Sequence, residues 1–169
     1  MYPVGFATML AHLQQQGFDV RINNLAARMV RSRRFDPERA IANLDARAFG
    51  IDLHWLPHAH GALEVARLVK KHHPDAPVIF GGYSASYFHD ELVRMPMADY
   101  VVRGDSAEIP LAQLLARLQA GDDLTDVPNL TWLGPEGEVR VNPLTHVPTD
   151  LDHLTLDYGA MVRSVVRDR

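Results

Sequence analysis

Asp52, His54, His58 and His60 crowd into one stretch, FGIDLHWLPHAHG at residues 49–61. Carboxylate and imidazole at this spacing could ligate Zn²⁺ or Fe²⁺, which would make a metal-dependent hydrolase. The same histidines could instead cap the following helix or hydrogen-bond a pocket wall, and Pro57 stiffens the loop. A second stretch, Gly81-Gly82-Tyr83-Ser84, follows an apolar run. Its glycines let a flat ligand approach the backbone, or they make a tight strand-to-helix turn that needs positive φ. The third is Arg103-Gly104-Asp105-Ser106, with Glu108 just beyond. Ser106 and nearby backbone amides could touch a polar ligand edge. Equally, Asp105 or Ser106 caps a helix and Glu108 favours its first turn. No phosphate-loop pattern and no GxGxxG occurs, so nothing here points directly to nucleotides.

Composition narrows the chemistry. The chain has no cysteine, which removes disulfides, thiolate zinc sites, Cys nucleophiles and Cys-bound iron–sulfur clusters from these 169 residues. With 47% hydrophobic and 22% charged residues it is globular, and its size fits one proper core. Net charge is −4, and the small cluster Arg28, Arg31, Arg33 and Arg34 reads as a solvated helix end rather than a nucleic-acid surface. No signal peptide or membrane-spanning apolar run is visible, so the expected compartment is the cytoplasm.

The three stretches must be positioned by something regular. Phe6, Met9, Leu10 and Leu13 recur at helical spacing, and Gly17 suits the helix's end. FDVRINNLA (18–26) reads as a strand, 37–47 as a helix opened by Pro37, and RAFGIDLHW (47–55) as a strand. A helix over 61–71 follows, ending in His72 and His73, which read as surface residues favoured by the helix dipole. Residues 76–82, APVIFGG, look like a strand buried on both faces of a parallel sheet. Next come a helix near 86–94, strand ADYVVRGD (98–105) and a helix over 107–120 that stops at Gly121. The alternation implies a doubly wound, Rossmann-like or flavodoxin-like α/β fold with a mainly parallel sheet flanked by helices. In such sheets ligands sit beyond the carboxyl ends of the strands, where all three stretches fall. Residues 129–143 read as a hairpin about Gly-Pro-Glu-Gly, and 144–169 as a connector with a short helix near 157–167. The chain opens on MYPVGFATML, a turn leading straight into a helix, where this fold opens with a strand. A first strand is therefore expected to be missing. Residues 1–128 form the expected α/β domain and 129–169 the hairpin and connector.

A strand ending at Asp52-x-His54, 26 intervening residues, Gly81-Gly82 and then DYVVRGDSAE together resemble the vitamin B12-binding domain of B12-binding radical S-adenosylmethionine proteins. Asp52 and His54 stand at the family's Ser and Leu positions on the third strand. PVGFATMLAHLQQQGFDVRI resembles its first helix and second strand, and DYVVRGDSAEIPLAQLLARL its fifth strand and last helix. The resemblance implies cobalamin held base-off, its nucleotide tail beside the sheet against Asp52, His54, Gly81 and Gly82. The corrin would rest over the strand ends, which adds Trp55, Tyr83, Ser84, Gly104, Asp105, Ser106 and Glu108 to the expected cofactor contacts. Asp52 to Pro57 also resembles the Asp-x-His-x-x-Gly loop that supplies a cobalt ligand in other B12 proteins. It follows a different strand, and Pro57 replaces the glycine, so His54 is not assigned to cobalt. S-adenosylmethionine and a [4Fe-4S] cluster would belong to a radical domain beyond residue 169, since this chain lacks the cysteines for it. Two rivals stand beside the cobalamin module: the metal-dependent hydrolase, and a ligand-free flavodoxin-like domain that dimerises through an exposed sheet edge.

Overall fold

Val78–Gly81 is an unbroken apolar run, and in the computed structural model it is the second strand of a five-stranded sheet with order β1-β2-β3-β4-β5. The structure describes residues 4–150 together with 154, 157 and 159. The strands are β1 (Phe49–Asp52), β2 (Val78–Gly81), β3 (Tyr100–Val102), β4 (Leu130–Leu133) and β5 (Val139–Val141). β1, β2 and β3 run parallel, while β4 pairs antiparallel with both β3 and β5. The helices are α1 (Val4–Gln15), α2 (Leu25–Arg31), α3 (Pro37–Ala42), α4 (Ala59–His72), α5 (Tyr83–Tyr87), α6 (His89–Val93) and α7 (Glu108–Ala120), and a 3-10 turn spans Leu56–His58.

The chain divides into two compact units, residues 1–37 with 148–169 and residues 38–147. In the first, α1 ends as its sequence dictates. Gly17 takes φ +88°, its N–H donates to Gln14 O at 3.0 Å, and Phe18 N–H reaches back to Leu13 O at 3.0 Å. This reciprocal pair satisfies carbonyls that the helix leaves open. The strand expected over 18–26 is absent. Residues 18–24 join no ladder, and 25 and 26 already belong to α2, whose N-terminus Asn24 caps by accepting Ala27 N–H at 2.9 Å. A β pattern is realised only against a partner edge, and an Asn directly before Leu-Ala-Ala-Arg is a helix-start signal that outcompetes it. Arg31, Arg33 and Arg34 are exposed, and Arg28 lies 4.4 Å over the Phe35 ring, so the basic cluster is a solvated helix end.

The second unit carries the sheet. Register assigns its two faces, because paired residues point the same way and neighbours alternate. Phe49, Ile51, Val78, Phe80, Val101 and Thr131 share one face; Gly50, Asp52, Ile79, Gly81, Tyr100, Val102 and Trp132 share the other. The first face is the one met by α4 and α6: His73, the C-cap of α4, stacks on Phe49 at 5.0 Å, and His89 of α6 meets Thr131. Val78, Ile79 and Phe80 are all buried, which explains why β2 reads as a continuous apolar run. At β1 the burial alternates, leaving Gly50 and Asp52 exposed on the second face. The helix expected over 86–94 is split into α5 and α6 about Phe88. His72 and His73 are half-buried rather than surface residues: His72 pairs with Glu38 at 3.0 Å, and the His73 ring nitrogen bonds Ile41 O at 2.8 Å.

The hairpin forms as expected and extends the sheet. Gly134 N–H donates to Glu138 O at 2.8 Å and Gly137 N–H to Gly134 O at 3.0 Å, closing the Gly-Pro-Glu-Gly turn. Asn129 just before it takes φ +62° while fully buried, and its side-chain amide exchanges bonds with both the O and N of His146, at 2.8 and 3.1 Å. The short helix expected near 157–167 lies outside the described residues, apart from isolated positions. Among the described residues no helix is long and apolar enough to cross a membrane.

Candidate functional site

Because β1, β2 and β3 are parallel, their carboxyl ends deliver Asp52 to Trp55, Gly81 to Ser84 and Arg103 to Asp105 to one edge of the sheet. Strand order does not reverse among the described strands, so this edge follows from parallel polarity alone. Backbone bonds then lace the first two ends together. Leu53 N–H donates to Gly81 O at 2.8 Å, Ala85 N–H to Leu53 O at 3.1 Å, and Ser84 gives both its N–H (3.2 Å) and its hydroxyl (3.1 Å) to His54 O. The second and third ends are joined by Tyr83, whose hydroxyl donates to Asp105 Oδ2 at 3.0 Å, and by Ser86, whose hydroxyl accepts Gly104 N–H at 2.9 Å.

The two glycines of the pair do different things. Gly82 sits at φ +101°, ψ 173°, a region essentially closed to residues with a side chain. A Cβ there would lie 2.8 Å from Asp52 Oδ1 and 2.9 Å from both Cα and N of His54. Gly82 is therefore the point at which the second strand end packs onto the first. Gly81 has ordinary backbone geometry, and a Cβ on it would meet only Val102 O, at 3.8 Å. It leaves open space on the same face as the exposed Gly50 and Asp52, where a ligand can lie against bare backbone.

Over this edge stands an aromatic rim. The His54 ring meets Trp55 edge-on at 4.9 Å and Tyr83 at 4.8 Å. Trp55 is 61% exposed, Tyr83 56% and Tyr87 80%, with Leu56 also exposed, a concentration of apolar surface that solvation alone disfavours. Asp52 lies below the rim. Although solvent reaches the residue, crowding of its carboxylate by protein raises its pKa, and the His54 and His58 imidazoles only partly oppose this. The Asp105 carboxylate, which accepts the Tyr83 hydroxyl, raises the pKa of that phenol.

The cluster of histidines does not gather into a metal centre. His58 occupies the N-cap position of α4 without a side-chain capping bond, His60 is exposed in the first turn, and no three His, Cys, Asp or Glu side chains among the described residues are placed to hold a metal ion. Helix α7 is likewise not capped by Asp105 or Ser106: its N-cap is Ala107, with no side-chain bond, and Glu108 is buried in the first turn. An open depression of about 400 Å³ lined by Arg47, His72, His73 and Asp75 lies before the amino ends of β1 and β2, at the other end of the strands. Sequence reading did not single out Ser86. Its only signal was a third hydroxyl in GGYSASYF, placed where one helical turn brings it back to Gly82.

The comparisons with known proteins give the family and the fold. The model of the B12 binding domain matches residues 1–114, more than half of the chain, and the chain belongs to that family. Two curated relatives are anaerobic magnesium-protoporphyrin IX monomethyl ester cyclases. That of Rubrivivax gelatinosus is 25% identical over 109 residues, covering 62% of this chain and 20% of the relative. That of Synechocystis sp. is 32% identical over 80 residues, covering 47% of this chain and 16% of the relative. The chain thus spans a fifth or less of the length of these relatives. Among solved structures, the radical S-adenosylmethionine methyltransferase TsrM from Kitasatospora setae, with cobalamin and a [4Fe-4S] cluster bound, matches at TM-score 0.72 and 21% identity, over 95% of this chain and 29% of TsrM. The cobalamin-dependent S-adenosylmethionine radical enzyme OxsB, with aqua-cobalamin bound, matches at TM-score 0.73 and 14% identity, over 98% of this chain and 23% of OxsB. These likenesses establish the mainly parallel fold.

Proposed function

We propose that this chain is the cobalamin-holding module of a B12-dependent radical S-adenosylmethionine enzyme, with the cofactor bound along the carboxyl edge of β1, β2 and β3. The observation that carries this reading is the open backbone at Gly81, beside an exposed aromatic rim, on a fold whose family binds B12. The residues fit a flat, amide-fringed macrocycle with a long tail. Gly81 and Asp52 would flank the tail, Gly82 would hold the loop that shapes its entry, and His54, Trp55 and Tyr83 would face the ring. Ser84 fixes the His54 carbonyl, while Gly104, Asp105, Ser106 and Glu108 would bound the third side.

When bound, cobalamin supplies carbon–cobalt chemistry, typically the carriage of a methyl group to an unreactive carbon, while the protein binds, orients and shields it. In this arrangement residues 1–128 form the holding domain, and 129–169 lead toward a radical domain that carries S-adenosylmethionine and its [4Fe-4S] cluster. The whole protein would work in the cytoplasm. The outer edge of β1, unpaired among the described residues, is where a further strand or a second copy of the chain would pair.

The two tryptophans provide the test. Trp132 is buried in β4, whereas Trp55 stands exposed at the proposed ring site. In a Trp132→Phe chain, titration with hydroxocobalamin should quench Trp55 emission saturably. Retained cobalamin with unchanged Trp55 emission would move the ring away from this edge.

A further inference from the structure

Ser86 lies in α5, one helical turn beyond Gly82. Its hydroxyl donates to Gly82 O at 2.9 Å and accepts Gly104 N–H at 2.9 Å. A hydroxyl has one proton to give and lone pairs to receive, and here both capacities are used between two strand-end loops. Both ends of this bridge are at positive φ, +101° at Gly82 and +96° at Gly104. Such backbone persists only where its surroundings hold it. Gly82 is held on its other side by Asp52 and His54, and a Cβ on Gly104 would lie 3.3 Å from Asn129 Nδ2, so each loop already abuts a neighbour. Ser86 is the side chain that ties one loop's backbone to the other's. The nearby link, Tyr83 to Asp105, joins two exposed side chains and leaves the backbone free to shift.

We infer that Ser86 is a positioning residue that sets the distance between the Gly82 and Gly104 turns and so the shape of the cofactor-bearing edge. It makes no contact with the cofactor in this account. The inference rests on the cobalamin reading for its consequence, but its geometric content can be tested separately. The experiment compares the 169-residue chain with Ser86→Ala, Ser86→Thr and Ser86→Val, following amide exchange of Gly104 by NMR and hydroxocobalamin affinity by absorbance titration. Loss of the bridging bonds should speed Gly104 exchange by about five- to tenfold and weaken cobalamin by a similar factor. The slow amides of β2 should remain unchanged. Threonine, which keeps the hydroxyl, should restore both readouts, whereas valine, the same shape without it, should restore neither. Unchanged Gly104 exchange in Ser86→Ala, or valine performing as well as threonine, would overturn the inference. If Ser86→Ala does not fold, the threonine–valine pair still decides. If the parent chain takes up no hydroxocobalamin, the cofactor reading fails while the exchange measurements still judge Ser86.

Discussion

Gly81 and Gly82 are adjacent and chemically identical, yet the fold asks opposite things of them. At Gly82 a methyl group would press on the backbone of His54 at 2.9 Å and require φ +101°. Gly82→Ala should therefore cost about 2 kcal/mol or more in urea unfolding, through strain and overpacking together. Gly81→Ala, which meets only Val102 O at 3.8 Å, should stay within about 0.5 kcal/mol of the parent. The quoted pair of glycines was legible in the sequence as a site where the backbone is approached closely. Which glycine leaves its backbone open and which packs against the chain itself was not, because that depends on the partner loop at Asp52 and His54, brought there only by the β1–β2 register. Similarly, three histidines within seven residues left a metal site open beside a structural role. The fold puts His54 after a strand end, His58 at the N-cap of α4 and His60 in its first turn, and among the described residues no three such side chains are placed to hold a metal ion.

At the scale of elements, helix α6 meets β4 through one titratable contact. The His89 ring nitrogen Nδ1 bonds the buried hydroxyl of Thr131 at 3.2 Å. Burial, and then the Arg103 guanidinium, lower the His89 pKa below its ordinary 6.5, with Asp90 and Glu91 partly opposing. The folded chain thus holds fewer protons on His89 than the unfolded chain. Stability should be at its full value above pH 6.5, decline as pH falls through the lowered folded pKa, and then level off. Melting temperatures measured between pH 7.5 and 5 should show this slope, and His89→Gln should flatten it; equal slopes in both proteins would remove His89 as its source. Elements with local signals were readable in advance: the Gly17 cap, the apolar run of β2, the Gly121 stop and the hairpin turn. Residues 18–24 were not, because alternation records a willingness to form strand, whereas a ladder needs an edge to pair with. Asn24 then starts α2 instead.

For the molecule as a whole, the proposed function places cobalamin along the carboxyl edge of β1, β2 and β3, against bare backbone at Gly81. Family membership establishes the class of domain, and the parallel polarity of the first three strands brings the separated motifs to one place. The most direct measurement is retention of hydroxocobalamin through desalting by the parent chain and by Gly81→Phe, with melting temperatures recorded for both. Gly82→Trp would be a poor block, since any side chain there disturbs the fold itself. The parent should show a cobalamin spectrum, and Gly81→Phe should lose it with the melting temperature preserved. Retention that is undiminished in a folded Gly81→Phe protein would contradict it.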